Sequence, residues 1–164
     1  MSDQKQTHIH TVWPTDMDLE SGLYAYRVGY RKAAEALVWR AVNEEMPMGE
    51  AKGIVYPIMF LYRHVVEITL KDILAQFDSH KSNTRSYKFG HNLAAIWSNV
   101  VDVVFEVQEK DIAQDFINCF GPLIESLHAI DPKGDGFRYY LDTTGKVARP
   151  EPINVDLINI RMWI

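Results

Sequence analysis

The sequence predicts an all-α protein, a helical bundle with a short hairpin or irregular segment near residues 136–150. Two observations carry that expectation. Apolar residues recur at steps of three and four over four long stretches, which is the period of one helix face. Those stretches are separated by polar or turn-rich breaks such as Met46–Gly53, Asp78–Gly90 and Asp131–Gly136. The chain has 164 residues, 47% of them hydrophobic and 24% charged, with a single cysteine and a formal net charge of -5. One domain is the default for that length and composition. The acidic balance supplies no global field for nucleic acid, although a local basic patch remains compatible with it.

Residues 1–14 are polar and unperiodic and read as a tail; His8 and His10 within it are a weak ligand pair. Residues 15–164 then form the single expected domain. Its first helix is expected from Asp16 to Asn43, with Thr15 as N-cap and Asp18 at the third position in the manner of a capping box. Leu19, Leu23, Tyr26, Tyr30, Ala33, Leu37 and Ala41 form its apolar stripe. Arg27, Arg31, Lys32 and Arg40 lie mostly off that stripe, as a solvated face would.

Met46–Gly53 reads as a break, and the second helix is expected from about Ile54 to Phe77. Pro57 lacks an amide donor, so it belongs in the first turn or makes a kink. This helix is apolar nearly all round, which makes it the centre of its bundle. Its longest unbroken apolar run, Ile54–Tyr62, is too short to cross a bilayer, so a membrane is not expected. The start of the chain lacks the apolar core of a signal peptide. With only Cys119, an internal disulfide and a cysteine-rich zinc site are both excluded. A cytoplasmic setting is expected.

Asp78–Gly90 is a polar loop and the most basic stretch, holding His80, Lys81, Arg85 and Lys88. The third helix is expected from His91 to Glu109, with Leu93, Trp97, Val100, Val104 and Val107 inside. The fourth runs from Asp111 to Ile130 on the stripe Ile112, Phe116, Phe120, Leu123, Leu127 and Ile130. Gly121-Pro122 predicts a kink there. Cys119 reads as a small buried hydrophobe, and the isolated His128 as a structural residue. Asp131–Gly136 is turn chemistry, Phe137–Pro152 is extended with a hairpin around Asp142–Gly145, and Asn154–Ile164 begins another helix.

One stretch of the second helix carries charge where apolar residues are expected. In "YRHVVEITLK", Arg63, Glu67 and Lys71 follow at i, i+4 and i+8 and share a face, with His64 one residue round. Two readings stay open. The cluster is either a polar stripe with ion pairs that set helix register, or the lining of a groove for an anion. An arginine fork suits phosphate, and a histidine titrates near neutrality.

Three strings in order resemble the HEPN superfamily of small helical domains. They are "YRHVVEITLKDIL", with Glu67 and Lys71 four apart; "GHNLAAIW", with His91, Asn92 and Leu93 opening a helix; and "FRYYLDTTG", with Arg138 and Tyr139. Across residues 20–160 the resemblance implies a four- or five-helix bundle that homodimerises. It also implies a link to nucleotide or RNA metabolism, as an accessory partner of a nucleotidyltransferase or of another defence or toxin–antitoxin protein. Arg63, Lys71, His91, Arg138 and Tyr139 are then the ligand-binding candidates. Some relatives are metal-independent endoribonucleases with an Arg-x(4–6)-His motif near a late helix. Here no histidine follows Arg138, and the string of that spacing runs from Arg85 to His91, before the third helix. Catalytic candidates on that alternative are Arg63, His64, Glu67, Arg85 and His91. Tyr140 stands where the family usually has proline. A third reading is a structural helical adaptor. No cofactor is implied, since a Gly-rich phosphate loop and metal-ligand spacing are both missing.

Overall fold

A computed structural model describes residues 19–81, 90–148, 154–157 and 160. Four helices follow in order: α1 (Leu19–Asn43), α2 (Met48–Lys81), α3 (Leu93–Val107) and α4 (Lys110–Ile130). The described residues contain no strand, so the all-α expectation holds in its coarse form. Consecutive helices pack on one another, α1 on α2, α2 on α3 and α3 on α4.

α2 is the axis. It starts at Met48, inside the stretch expected to be a break, and passes through Pro57. The proline has no amide to donate to the carbonyl of Gly53, four residues back, yet the helix continues through it. Over Gly49–Asp78 the helix is long and apolar enough, by length and composition alone, to cross a membrane. The nine-residue run did not suggest this. The helix is also flanked by α1 and α3 and carries a buried polar network, as the core helix of a bundle does.

α1 covers its expected stripe only in part: Leu37 and Ala41 pack against the α2 cluster and Leu23 and Tyr30 are half-buried, but the fully covered line lies beside them. Ala34 and Val38 are its fully covered residues, while Tyr26 is 50% exposed and Ala33 is exposed. The cause is that α1 rests on one neighbour, so only a narrow line is covered. Small side chains on that line bring it close to Ile54, Ile58 and Tyr62 of α2. Arg27 is also not simply solvated: its Nη1 lies 3.1 Å from the buried Asp72 carboxylate on α2. Arg40 bonds both Glu44 and Glu50 and braces the α1–α2 corner.

The larger core lies between α2, α3 and α4, around Leu70, Leu74, Leu93, Ile96, Val100 and Leu127. Asn92 caps α3 by accepting from the Ala95 amide at 3.0 Å. α4 runs unbroken through Gly121-Pro122, and Gly121 lies against the Trp97 indole, where an added methyl group would sit 4.0 Å from the ring. Its expected stripe is only half buried. Ala113, Gly121, Ile124 and Leu127 are covered, while Ile112 is 54% and Phe120 40% exposed. Cys119 is exposed, which corrects the buried reading. Ile112 borders a groove beside α3 and Phe120 a groove beside α1, so α4 is incompletely covered on both flanks.

After α4, Phe137 enters the core at 6% exposure. The expected hairpin is reduced to one antiparallel bridge, Leu141 with Val147. The Asp142 carboxylate organises the turn by accepting from Thr144 N and Lys146 N, and Gly145 takes a φ of 79°. Leu157 and Ile160 pack back on the bundle, with a helical bond from Ile160 N to Asp156 O.

Leu93, with no exposed surface, tests the larger core. Leu93→Ala is expected to cost about 2–5 kcal/mol in urea unfolding. Phe105→Ala, on the 43% exposed outer side of α3, should stay within roughly 0.5 kcal/mol.

Candidate functional site

The charged stretch of α2 lies at the corner where α2 meets the start of α3 and the end of α4. Arg63 is 3% and Glu67 2% exposed. Arg63 Nη1 donates to Glu67 Oε2 at 3.0 Å, its Nη2 to the backbone carbonyl of His91, and its Nε to the carbonyl of Asp131 at 3.3 Å. The Asp131 carboxylate is 3.6 Å from Nε and is itself buried. One guanidinium therefore bonds three separate parts of the chain. A buried charge is tolerated on these terms, paired and with its donors satisfied.

The turn after α4 is shaped by the same network. Asp131 Oδ1 accepts from the amides of Gly134 and Gly136, both at 3.1 Å. Gly134 has a φ of 77°, and a methyl group there would come within 2.7 Å of Arg63 Nη1. Glycine is required on both counts: the left-handed backbone, and the guanidinium lying flat against it. Arg138 closes the turn by donating from Nε to the Gly134 carbonyl at 2.8 Å.

Glu67 faces outward with its other oxygen. Oε1 takes Lys71 Nζ at 2.7 Å and His91 Nδ1 at 2.9 Å. Burial pushes the Glu67 carboxyl upward, but the hydrogen bonds and charges of Lys71 and His91 outweigh it and hold the group below its ordinary 4.5. The Lys71 side chain is 26% and the His91 side chain 55% exposed. The ion pairs thus grade from a sealed interior at Arg63 to a solvent-facing rim.

His64 belongs to another environment. Its ring stacks on Phe60 at 5.4 Å and meets Tyr30 edge-on at 4.7 Å. Burial lowers its pKa below 6.5; Glu67 opposes that, while Lys71, His91 and Arg138 reinforce it. The hydrogen-bonded corner gathers Arg63, Glu67, Lys71, His91, Asp131 and, through Gly134, Arg138, while His64 packs among aromatic rings beside it. Tyr139, 57% exposed, lies under the Arg138 guanidinium at 5.3 Å. Arg85 lies outside the described residues. Half-buried His128 stands apart on α4.

Sequence reading missed Asp131 and Gly134. Both sit in "DPKGDG", whose turn composition hides that one carboxylate faces a buried arginine and one glycine faces its plane. The chemistry available at the corner is anion attraction at the rim, from Lys71 and Arg138, with the exposed His91 ring beside them. Arg63 is committed inside. No Cys, His, Asp and Glu group among the described residues has the geometry of a metal site. Compared with family models, curated proteins and solved structures, the chain finds no match.

Removing the guanidinium should strand Glu67 and Asp131. Arg63→Ala is expected to cost about 3–5 kcal/mol in urea unfolding, and Gly134→Ala at least about 1–3 kcal/mol from backbone strain alone. The two lowered pKa values share one sign. His64 and Glu67 each bind protons more readily unfolded than folded, so stability falls on acidification, first below pH 6.5 through His64 and then below pH 4.5 through Glu67. Urea midpoints of His64→Phe against pH should lose the upper step and keep the lower.

Proposed function

We propose that this chain is a non-catalytic interaction module. On this reading it is a homodimeric, HEPN-like accessory protein linked to nucleotide or RNA metabolism, and it serves a nucleotidyltransferase or another protein of a bacterial defence or toxin–antitoxin system. The observation that carries the proposal is the commitment of Arg63 and Glu67 to internal bonds at 3% and 2% exposure. Metal-independent RNA cleavage needs an arginine and a histidine free to reach the scissile phosphate. Here the most polar part of the core holds helices together instead.

What remains at the surface of that corner suits an anionic partner. Lys71 and His91 bond a Glu67 carboxylate that is already satisfied, and the exposed Arg138 adds a donor from the turn after α4. Cations on a rigid corner position phosphates without chemistry, and such binding weakens as salt rises. A cytoplasmic place fits this role and the single exposed thiol.

The endoribonuclease alternative draws on one contact, the 2.9 Å approach of His91 to Glu67, which would orient an imidazole for proton transfer. One assay separates the readings. Short single-stranded RNA and free nucleotides are incubated with the full chain in EDTA, with binding followed by anisotropy and integrity on a gel. Salt-sensitive binding without cleavage is expected, weakened several-fold in Lys71→Glu and Arg138→Glu. Cleavage that disappears in His91→Ala would establish the enzyme instead. Failure to bind any of these would remove the nucleotide link and leave a structural adaptor.

A further inference from the structure

The groove between α1, α2 and α4 has an apolar interior and a charged mouth. Its volume is 410 Å³, inside the range of about 300–1,000 Å³ in which proteins take small ligands, and a cleft between the helices of a bundle is a usual place for one. Val65, Leu70 and Ile73 of α2 form one wall, and Phe116, Phe120 and Leu123 of α4 the other. The Trp97 indole, 8% exposed, reaches the groove from α3. Thr69 is the polar residue of the α2 wall, and its hydroxyl is spent on the Val65 carbonyl at 2.8 Å. The walls therefore offer apolar contact and almost no hydrogen bonds.

α1 supplies the mouth. Arg27 and Arg31 stand four residues apart and both line the groove, with side chains 34% and 41% exposed. Like charges at that spacing repel, and an anion set between them relieves the repulsion. Their partners do not exhaust them. Arg27 commits Nη1 to Asp72 at 3.1 Å, and that carboxylate also accepts from Gln76 at 3.0 Å. Arg27 Nε and Nη2 have no partner among the described residues. Arg31 Nε lies 3.6 Å from Glu35, beyond hydrogen-bond length, and Lys32 holds the same carboxylate at 3.0 Å. Three cations thus share two carboxylates, with guanidinium donors to spare.

We infer that this groove binds one fatty acid, its alkyl chain between α2 and α4 and its carboxylate at Arg27 and Arg31. Burial of the chain supplies the affinity. The carboxylate matches the planar fork of a guanidinium and sets the orientation, head toward α1. An uncharged apolar molecule would leave the arginine donors unused. A strongly polar anion such as a nucleotide would press polar surface against walls that cannot bond it. A free acid and a bilayer lipid share this chemistry, and a cleft between packed helices suits one chain. The groove shares no lining residue with the Arg63 corner, so the inference stands apart from the role proposed there.

A bromine-labelled dodecanoate, kept below its micellar range, should quench the tryptophan emission of the full chain in a saturable one-to-one titration. The quenched component should be missing in Trp97→Phe. Arg31→Ala should weaken binding about tenfold, and dodecanol, which lacks the charge, should bind more weakly by about the same factor. Thr69→Phe fills the cleft and should abolish binding, with far-ultraviolet dichroism confirming the fold of each variant. Absence of saturable quenching overturns the inference. So does quenching that survives both Arg31→Ala and Thr69→Phe, since the chain would then lie elsewhere. Binding to phosphatidylglycerol vesicles with none to the monomeric acid overturns it too, and makes this face a membrane contact.

Discussion

The structure depends on keeping one buried guanidinium satisfied. Arg63 is inside the bundle with five donors to place and little water to take them. Its partners are Glu67 on its own helix, the His91 carbonyl just before α3 and Asp131 just after α4. Each comes from a different part of the chain, so a helix that slid or rotated would leave a buried charge unmet. Apolar packing is tolerant of such shifts; a planar fork with fixed donor directions is not. The network thereby selects one arrangement of α2, α3 and the post-α4 turn from the many that would bury similar area.

That constraint propagates outward in two directions. Toward solvent, Glu67 passes the interaction to Lys71 and His91, so the rim charges are held by the same carboxylate that anchors the interior. Toward the chain terminus, Asp131 gathers the Gly134 and Gly136 amides and brings Phe137 into the core. The far side of α4 is not governed by this network. It packs less closely there, and Ile112, Cys119 and Phe120 stay exposed.

Legibility varied with the range of the interaction. The order of the four described helices was readable, because periodicity is a local property and each stretch was long. Ends were less so. α2 begins at Met48 because glycines and a proline are compatible with a helix whose other side is packed, and tertiary contacts outweighed local propensity. The burial of Cys119 and of the α4 stripe was misjudged because a hydrophobic period tells that a face wants cover, not whether a neighbour supplies it. Within the candidate site, the i, i+4, i+8 line of Arg63, Glu67 and Lys71 is a ladder of ion pairs, and His91 joins it from the start of α3. Asp131 and Gly134 stayed hidden, since a turn reads the same whether its carboxylate faces water or an arginine.

By itself the sequence determined the class of the fold, the order of the four described helices and the set of polar residues that α2 brings inward, since all of these follow from spacing along one chain. Only the tertiary structure decided what those residues do. Whether Arg63 faces a ligand or an internal carbonyl depends on how α3 and the Asp131 turn approach it, across separations in sequence that no local pattern encodes. The same holds for α4, whose single apolar stripe is part core and part exposed because its neighbours cover it incompletely on both flanks.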